Sequence, residues 1–227
     1  MGGRGSSSAS SKISGGGGGG TLNFHNITQA EIDAIIDEQE ETFTIDQTLA
    51  IKQYISAKAT SNGYSMSQNL NYALDNGLPL NANEQYMDQQ LSSAMHAIGT
   101  DINLSRAAHS DILTQLGAGN YQNMTGAQLS QALTGAAFKT KSYSSTSYDV
   151  SKNPFISGAQ AGGREVIMNI KAAGTTRGIF CNKAQAEVVL DKGTTFKITG
   201  ARFTGKTVYP RTSMTGMKQV ELDIEIS

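Results

Sequence analysis

The sequence predicts an α+β fold, with helices in its first half and strands in its second. Helix-type spacing of apolar residues runs from Thr28 to Ile98. After Gly99 the spacing changes to short apolar blocks, and from Ser142 onward strand-type segments dominate. Because the helices precede the strands and do not alternate with them, this order favours α+β architecture over repeated βαβ units.

The length of 227 residues suits a single domain with a substantial core. Residues 1–21 are rich in Gly and Ser and include the run Gly15–Gly20. Such a segment has too little apolar surface to order itself, so we predict a disordered tail. Residues 22–227 are predicted to form the one folded domain.

Four helices are predicted in the first half. Thr28 and Glu31 fit a capping box, in which each side chain bonds the other's backbone N–H. Asn62-Gly63, Asn76-Gly77 and Gly99 separate or end the segments. The apolar positions that define the four helices are Ile32, Ile35 and Ile36; Leu49, Ile51, Tyr54 and Ile55; Leu70, Tyr72 and Leu74; and Tyr86, Leu91, Met95 and Ile98.

The second half mixes strands with two short helices. We predict a strand over Ile102–Arg106 and helices over Asp111–Leu116 and Thr125–Leu133. The later strands are predicted at Val166–Ile170, Glu187–Leu190, Thr194–Ile198 and Gln219–Ile226, with Gly193 and Gly200 between or after them.

Composition excludes several classes of protein. Cys181 is the only cysteine, so no internal disulfide forms, and the three histidines show no metal-ligand spacing. No stretch approaches the roughly 20 apolar residues that span a membrane, and the N-terminus lacks the apolar core of a signal peptide. We therefore expect a soluble, metal-free protein that does not bind membranes.

The charges are unevenly distributed along the chain. Residues 1–100 carry 4 Lys/Arg against 10 Asp/Glu, whereas residues 101–227 carry 14 against 9. A basic second half can attract an anionic ligand such as a dinucleotide, although ordinary scatter of solvated charges gives the same count.

Three features of the second half carry candidate chemistry. Arg106 ends a short strand, where a guanidinium can grip a phosphate. Ser142–Ser147 offers a run of hydroxyls. Gln185 and Glu187 point to the same side of the start of an apolar strand. Taken singly, the three features also have ordinary structural explanations. Arg106 fits a surface salt bridge, Ser142–Ser147 a polar edge strand, and Glu187 a solvated strand end.

In their order, these features resemble the Arg–Ser–Glu class of ADP-ribosyltransferases, which includes clostridial toxin enzymes and vertebrate ecto-transferases. Arg106 matches the arginine of the class, with Ala107 where glycine is usual. Tyr143–Ser147 matches the aromatic-x-Ser-Thr-Ser motif, and Gln185–Phe196 the glutamate-bearing strand and the turn after it. The resemblance covers roughly Ile45 to the C-terminus.

The resemblance implies helices packed on a two-sheet β core, and NAD as co-substrate without a metal. The residue roles that it implies are Glu187 as the catalytic glutamate, Ser145 as its orienting partner and Arg106 as a phosphate anchor, with Thr146, Phe155 and Arg164 as further NAD-binding residues. Phe155 and Arg164 belong to the predicted phosphate–nicotinamide loop, Asp149–Glu165.

Gln185 bears on the acceptor of the ADP-ribose. In the class, Glu at this position accompanies transfer to arginine, and Gln accompanies transfer to asparagine, glutamine or a nucleobase. We therefore expect a protein or nucleic-acid acceptor other than arginine. We also expect a monomer. We expect it to act in the cytoplasm of a producing or infected cell, or to be delivered with a virion.

Two alternatives stay open. One is an NAD glycohydrolase on the same scaffold, with water as the acceptor. The other is a non-catalytic phage structural module, because Met1–Ser6 resembles the start of phage structural proteins.

Overall fold

The structure, a computed structural model, describes residues 27–157, 163–183, 186–210 and 215–226. The tail predicted over residues 1–21 lies outside the described residues and stays a prediction. Met1–Ser6, which resembles the start of phage proteins, also lies outside the described residues, and so does Gln185.

The first half contains the four predicted helices, α1 (Gln29–Thr42), α2 (Ile45–Ile55), α3 (Met66–Asn76) and α4 (Ala82–Ala94). The capping box at α1 is confirmed: Thr28 N donates to Glu31 Oε2 over 2.7 Å, and Glu31 N donates to Thr28 Oγ1 over 3.3 Å. Boxes of the same kind begin α2, α3 and α4. Local sequence therefore sets where each helix begins.

The prediction that helical structure continues to Ile98 is wrong. The fourth helix ends at Ala94, and His96–Ala97 forms the short strand β1. His96 pairs with Gly178 and Ala97 with Arg177, so hydrogen bonds to a distant strand replace the last helical turn. Ile98 is buried in the core beneath that strand.

The remaining strands are β2 (Ile102–Ala108), β3 (Ala137–Lys139), β4 (Ser144–Ser147), β5 (Val166–Ala172), β6 (Arg177–Asn182), β7 (Glu187–Leu190), β8 (Thr195–Val208) and β9 (Met217–Ile226). They form one nine-stranded sheet in the order β1-β6-β7-β4-β2-β5-β9-β8-β3. The mixed helix-and-sheet fold is as expected. The two-sheet detail is not confirmed, since hydrogen bonds link all nine described strands.

Helices α5 (Asp111–Gln115) and α6 (Gly126–Leu133) confirm the two predicted in the second half. All five strands whose bounds were predicted, β2, β5, β7, β8 and β9, lie where the sequence places them, although β8 is 14 residues long where five were predicted. Its register shifts between Ile198 and Gly200 and again between Phe203 and Thr207, which interrupts the alternation that reveals a strand. Strands β3 and β6 were not predicted.

The sheet separates two cores. Val188 and Leu190 of β7 face one core, to which α1, α5 and α6 contribute, while Val189 faces the other, which α2, α3 and α4 cover. A strand with apolar side chains on both faces is an interior strand. Glu187 begins this strand at the point where the helical cover of the second core stops, and a cleft opens there.

Candidate active site

An open cleft of about 820 Å³ lies where the middle strands meet helix α3 and the loop after β4. The structure brings all the described site residues predicted from the sequence to its wall: Arg106, Ser145, Thr146, Phe155, Arg164 and Glu187. These positions span 82 residues of the chain, so the fold, and not local sequence, gathers them.

Glu187 stands at the start of β7, paired with Ser147 across the β4–β7 ladder, and Val189 pairs with Ser145. Directly paired residues share a face of a sheet, as do residues two apart, so Ser145 and Glu187 face the cleft together. Burial raises the pKa of Glu187 above the usual glutamate value, and the neighbouring Ser145 hydroxyl opposes part of that shift.

The turn before Glu187 has an unusual backbone. Ala186 has φ of 51°, in the left-handed region that residues with a side chain rarely adopt. Its carbonyl accepts from Tyr148 N over 3.0 Å, which ties the turn to the end of β4. Such conformations cost free energy and persist where surrounding contacts hold them. Here they fix the direction from which the chain enters β7.

Ser145 and Thr146 differ in what their hydroxyls do. Ser145 is exposed to the cleft. Thr146 is buried, and its Oγ1 donates to the carbonyl of Val188 over 2.8 Å. The Thr146 hydroxyl therefore bonds β4 to β7 and leaves Ser145 as the hydroxyl beside Glu187.

Arg106 lies on β2, whose Ser105 pairs with Ser147 of β4. Arg106 Nη1 donates to the carbonyl of Ser145 over 2.9 Å, so the guanidinium is held against the serine strand. Burial lowers the pKa of Arg106 from its usual value, and Tyr54 and Asp75 oppose the shift. An arginine retains its charge under such shifts, so a fixed cation lies close to Ser145.

Tyr54 and Asn71 belong to the site's support and were not identified from the sequence as site residues. Asn71 Nδ2 donates to the Tyr54 hydroxyl over 2.9 Å and to the carbonyl of Tyr143 over 3.3 Å. Tyr54 is buried, and its ring forms a T-shaped contact with the Tyr143 ring at a centroid distance of 5.8 Å. Burial raises the pKa of Tyr54 to about 12, while Arg106 and Ser145 act in the opposite direction.

The loop after β4 supplies the other two predicted residues. A 3-10 turn over Val150–Lys152 starts it, and Asn153 Oδ1 accepts from Phe155 N over 3.1 Å. The Arg164 guanidinium lies over the Phe155 ring, 4.7 Å from its centroid. A cation on an aromatic face is stabilised by the ring's negative surface. The described parts of the loop before and after residues 158–162 therefore meet at the cleft.

His109 and Glu165 also lie beside Arg164, and sequence reasoning missed them. His109 Nδ1 lies 3.0 Å from Glu165 Oε2, and the Ser110 hydroxyl donates to Glu165 Oε1 over 3.3 Å. Arg164 Nη1 contacts His109 Nε2. The signal in the sequence is slight: His109 follows Arg106 by three residues at the end of the same strand.

The arrangement suits an anionic ligand that reacts at a site of developing positive charge. Lys139 and Lys141 line the cleft with Arg106 and Arg164, and the Glu187 carboxylate lies among them. Such a carboxylate can stabilise a cation that forms during reaction. Within the described ranges, no group of three or more His, Cys, Asp or Glu is placed to hold a metal, and no helix is long and apolar enough to cross a membrane.

A sequence model of the family described as ADP-ribosyltransferase exoenzyme matches residues 29–226. A comparison with curated protein sequences finds no match. Among solved structures, the chain is similar to Plx2a, an ADP-ribosyltransferase toxin from Paenibacillus larvae, with 15% identity over 86% of this chain and 92% of that one, at a TM-score of 0.61.

Two further structures are similar. C3stau2 from S. aureus, solved with NAD, shares 15% identity over 87% of this chain and 95% of that one, at a TM-score of 0.54. BECa, an ADP-ribosylating toxin of a binary enterotoxin of C. perfringens solved with NADH, shares 16% identity over 88% of this chain, at a TM-score of 0.64. The chain spans only 48% of BECa, about half its length. At these identities the likeness concerns the fold.

Proposed function

Because the chain belongs to the ADP-ribosyltransferase exoenzyme family, we propose that its cleft transfers a single ADP-ribose unit from NAD to a macromolecule, with Glu187 as the catalytic carboxylate. The family consists of NAD-dependent transferases, so NAD is the co-substrate. The observation that carries the proposal is the meeting of Arg106, Ser145 and Glu187 at one cleft wall.

The reaction breaks the bond between C1′ of the ribose and the nicotinamide nitrogen, and the electron pair leaves with nicotinamide. Positive charge then develops on the sugar, as in glycoside cleavage. The acceptor's lone pair forms the new bond to C1′, and the acceptor loses a proton. The enzyme accelerates this step by stabilising the developing cation more than the ground state.

Two observations support Glu187 as the residue in this role. Its carboxylate is half-buried, and an ionised group acts more strongly where water is partly excluded. Beside the ribose 2′-hydroxyl it would oppose the charge that forms on the sugar. Ser145 shares the sheet face with Glu187, which supports a role in orienting both the carboxylate and the nicotinamide ribose.

The cationic residues supply the dinucleotide anchor. Arg106, held by the Ser145 carbonyl, would bind phosphate from the sheet side, and Arg164 would bind it from the loop side. Phe155 supports Arg164 and offers a ring for nicotinamide packing. The contact of Thr146 with Val188 supports a part for that residue in holding β4 to β7 beneath the ligand.

The acceptor is proposed from the sequence alone, because Gln185 lies outside the described residues. A carboxamide can exchange hydrogen bonds with another amide or with a base, whereas a carboxylate suits a guanidinium. Gln185 therefore favours an asparagine, glutamine or nucleobase acceptor over arginine.

The decisive test of the proposed catalytic residue compares wild type with Glu187→Gln and a matched control, Glu225→Gln, which removes a strand carboxylate outside the cleft. Release of nicotinamide from NAD is measured. We expect Glu187→Gln to lower kcat at least about 100-fold, the usual loss when one charge-stabilising group is removed, and Glu225→Gln to match wild type. Full turnover by Glu187→Gln would refute the assignment of Glu187, whereas no turnover by wild type would favour a non-catalytic module.

A second experiment addresses the acceptor. Lysate proteins and nucleic acids are incubated with labelled NAD and either wild type or Gln185→Glu, and adducts are identified by mass spectrometry. We expect non-arginine adducts with wild type and arginine adducts with Gln185→Glu. Free ADP-ribose without any adduct would instead establish an NAD glycohydrolase, and an unchanged adduct would remove Gln185 from acceptor choice.

A further inference from the structure

Three side chains at the rim of the cleft form a connected series from a buried carboxylate to an arginine. Glu165 is 4% exposed, and its two carboxylate oxygens accept from His109 Nδ1 and from the Ser110 hydroxyl. The other ring nitrogen of His109, Nε2, contacts Arg164 Nη1. The series joins the end of β2 to the start of β5, because Ala108 pairs with Val166 in the ladder between those strands.

The chemistry of the contacts fixes the direction of each hydrogen bond. A carboxylate only accepts, so His109 donates from Nδ1 to Glu165. In the neutral imidazole, the other nitrogen then carries a lone pair. An arginine only donates, so Nη1 of Arg164 supplies the proton of the bond to Nε2. Each donor therefore meets an acceptor along the whole series.

Two further contacts hold the same arginine. Its guanidinium lies over the Phe155 ring, and its backbone carbonyl accepts from Gln219 Nε2 over 2.9 Å. The ring fixes the plane of the guanidinium, and His109 fixes one of its edges within that plane. A long arginine side chain has many rotamers, and holding it in one before the ligand arrives reduces the entropy lost on binding.

We propose that His109, itself anchored by Glu165, is a positioning residue that holds Arg164 in the orientation for binding the NAD phosphates. This inference rests on the proposed function. His109 acts through Arg164, so its loss weakens NAD binding and leaves the bond-breaking step nearly unchanged. That separates it from Glu187, whose loss lowers kcat.

The test is a double-mutant cycle on NAD affinity, measured by calorimetry with wild type, His109→Phe, Arg164→Ala and the double variant. His109→Phe keeps a ring of similar shape and removes both nitrogens. We expect it to raise the Kd for NAD about tenfold, as for one lost hydrogen bond to a charged group. In the Arg164→Ala background the same change should alter Kd less than about twofold, because residues that act through one contact are not additive.

Two control variants test whether the effect is specific to the nitrogen atoms of His109. His109→Gln can place a carbonyl oxygen near the site of Nε2, and we expect it to recover most of the affinity. His96→Phe, which alters a histidine outside the cleft wall, should leave Kd at the wild-type value. Steady-state kinetics should show a raised KM with kcat within about twofold of wild type, the pattern of lost uniform binding.

The outcomes separate the two proposals. Equal effects of His109→Phe with and without Arg164 would overturn the positioning role and indicate direct contact with the ligand, and an unchanged Kd would overturn it too. Thermal denaturation checks folding, and His109→Leu replaces the Phe variant if that one unfolds. Wild type that neither binds nor cleaves NAD would overturn the proposed function itself, and this inference with it.

Discussion

The Glu187 carboxylate is half-buried, and that burial raises its pKa above the usual glutamate value. A carboxyl group whose pKa is higher in the folded than in the unfolded protein stabilises the fold at low pH, and that stability is lost as the pH rises through the folded value. At neutral pH, therefore, ionised Glu187 destabilises the protein in which it acts. The neutral amide of Glu187→Gln removes this cost.

We accordingly predict that Glu187→Gln raises the melting temperature at pH 7 by on the order of 1–3 °C, although we expect it to lower kcat. Differential scanning calorimetry at pH 7 and pH 4 measures it. The gain should shrink at pH 4, where the wild-type carboxyl is protonated. A lower melting temperature than wild type at pH 7 would show that the carboxylate makes net favourable contacts.

The same pKa governs activity, since only the ionised carboxylate stabilises a cation. We predict that kcat/KM, which reports ionisations of the free enzyme, falls as the pH is lowered, with an inflection above the ordinary glutamate value of about 4.3. A kcat/KM profile between pH 4 and pH 8 measures this inflection. Ser145→Ala should move it further upward, because the serine hydroxyl favours the ionised form. An inflection at or below 4.3 in wild type would contradict the burial argument.

Between elements, Asp88 and Lys192 join helix α4 to the turn after β7. Lys192 Nζ lies 2.5 Å from Asp88 Oδ1 and 2.6 Å from Oδ2, and the Tyr143 hydroxyl donates to Oδ1 over 2.8 Å. The two charged side chains are 32% and 19% exposed, so the pair is partly shielded from solvent. This ion pair holds α4 against the sheet, and α4 contributes to the second core.

We predict that Asp88→Asn lowers the free energy of unfolding by about 2 kcal/mol, since it leaves a shielded ammonium without its charge partner. NAD turnover by the folded fraction should not change. The matched control is Asp37→Asn, which breaks the exposed pair of Asp37 with Lys183 and should cost less than about 1 kcal/mol. Urea denaturation measures both. Equal effects would show that shielding does not matter here.

The elements that the sequence predicts well are those specified by their neighbours in the chain. The capping box of Thr28 and Glu31 and the apolar run Val188–Leu190 are local signals, and both are found in the structure. The C-terminal end of α4 and the pairing of β1 with β6 could not be predicted, because they depend on contact between His96 and Gly178, far apart in sequence.

The candidate site divides along the same line. Arg106, Ser145 and Glu187 were identified from local motifs and their order, and they line one cleft. The contact of His109 with Glu165 joins residues 56 positions apart and has no local pattern. Tyr54 has helical spacing, so its sequence environment indicates a core residue and conceals its place beside the arginine.

On the scale of the whole molecule, β9 joins two unequal parts of the sheet. This strand pairs with β5 in parallel and with β8 in antiparallel orientation, and among the described strands β8 and β3 have no other link to the rest of the ladder. Every described residue to which a catalytic or NAD-binding role is assigned lies on the β5 side or in the loops attached to it, whereas Lys139 of β3 lines the cleft from the other side. The strands that carry these residues therefore depend on β9 for their connection to β8 and β3.

We predict that deleting residues 217–227 unfolds the protein and abolishes NAD binding, although every proposed site residue is retained. Strand β9 contributes Val220, Leu222, Ile224 and Ile226 to the first core, and burying each apolar side chain is worth about 1.5–3 kcal/mol. Deleting residues 1–21 is the control and should leave turnover intact. Circular dichroism and calorimetry measure both; a folded, NAD-binding protein without β9 would contradict the prediction.

The position of β9 between β5 and β8 also has a consequence for the order of events during synthesis. Its two neighbours, β5 and β8, are both made before it and cannot join until it inserts between them. At about 5–20 residues per second, the ribosome completes the last site strand a few seconds before β9 is available. For that interval the nascent chain carries the strands of the site in a sheet that lacks β9, so the sheet can close only after β9 has been synthesised.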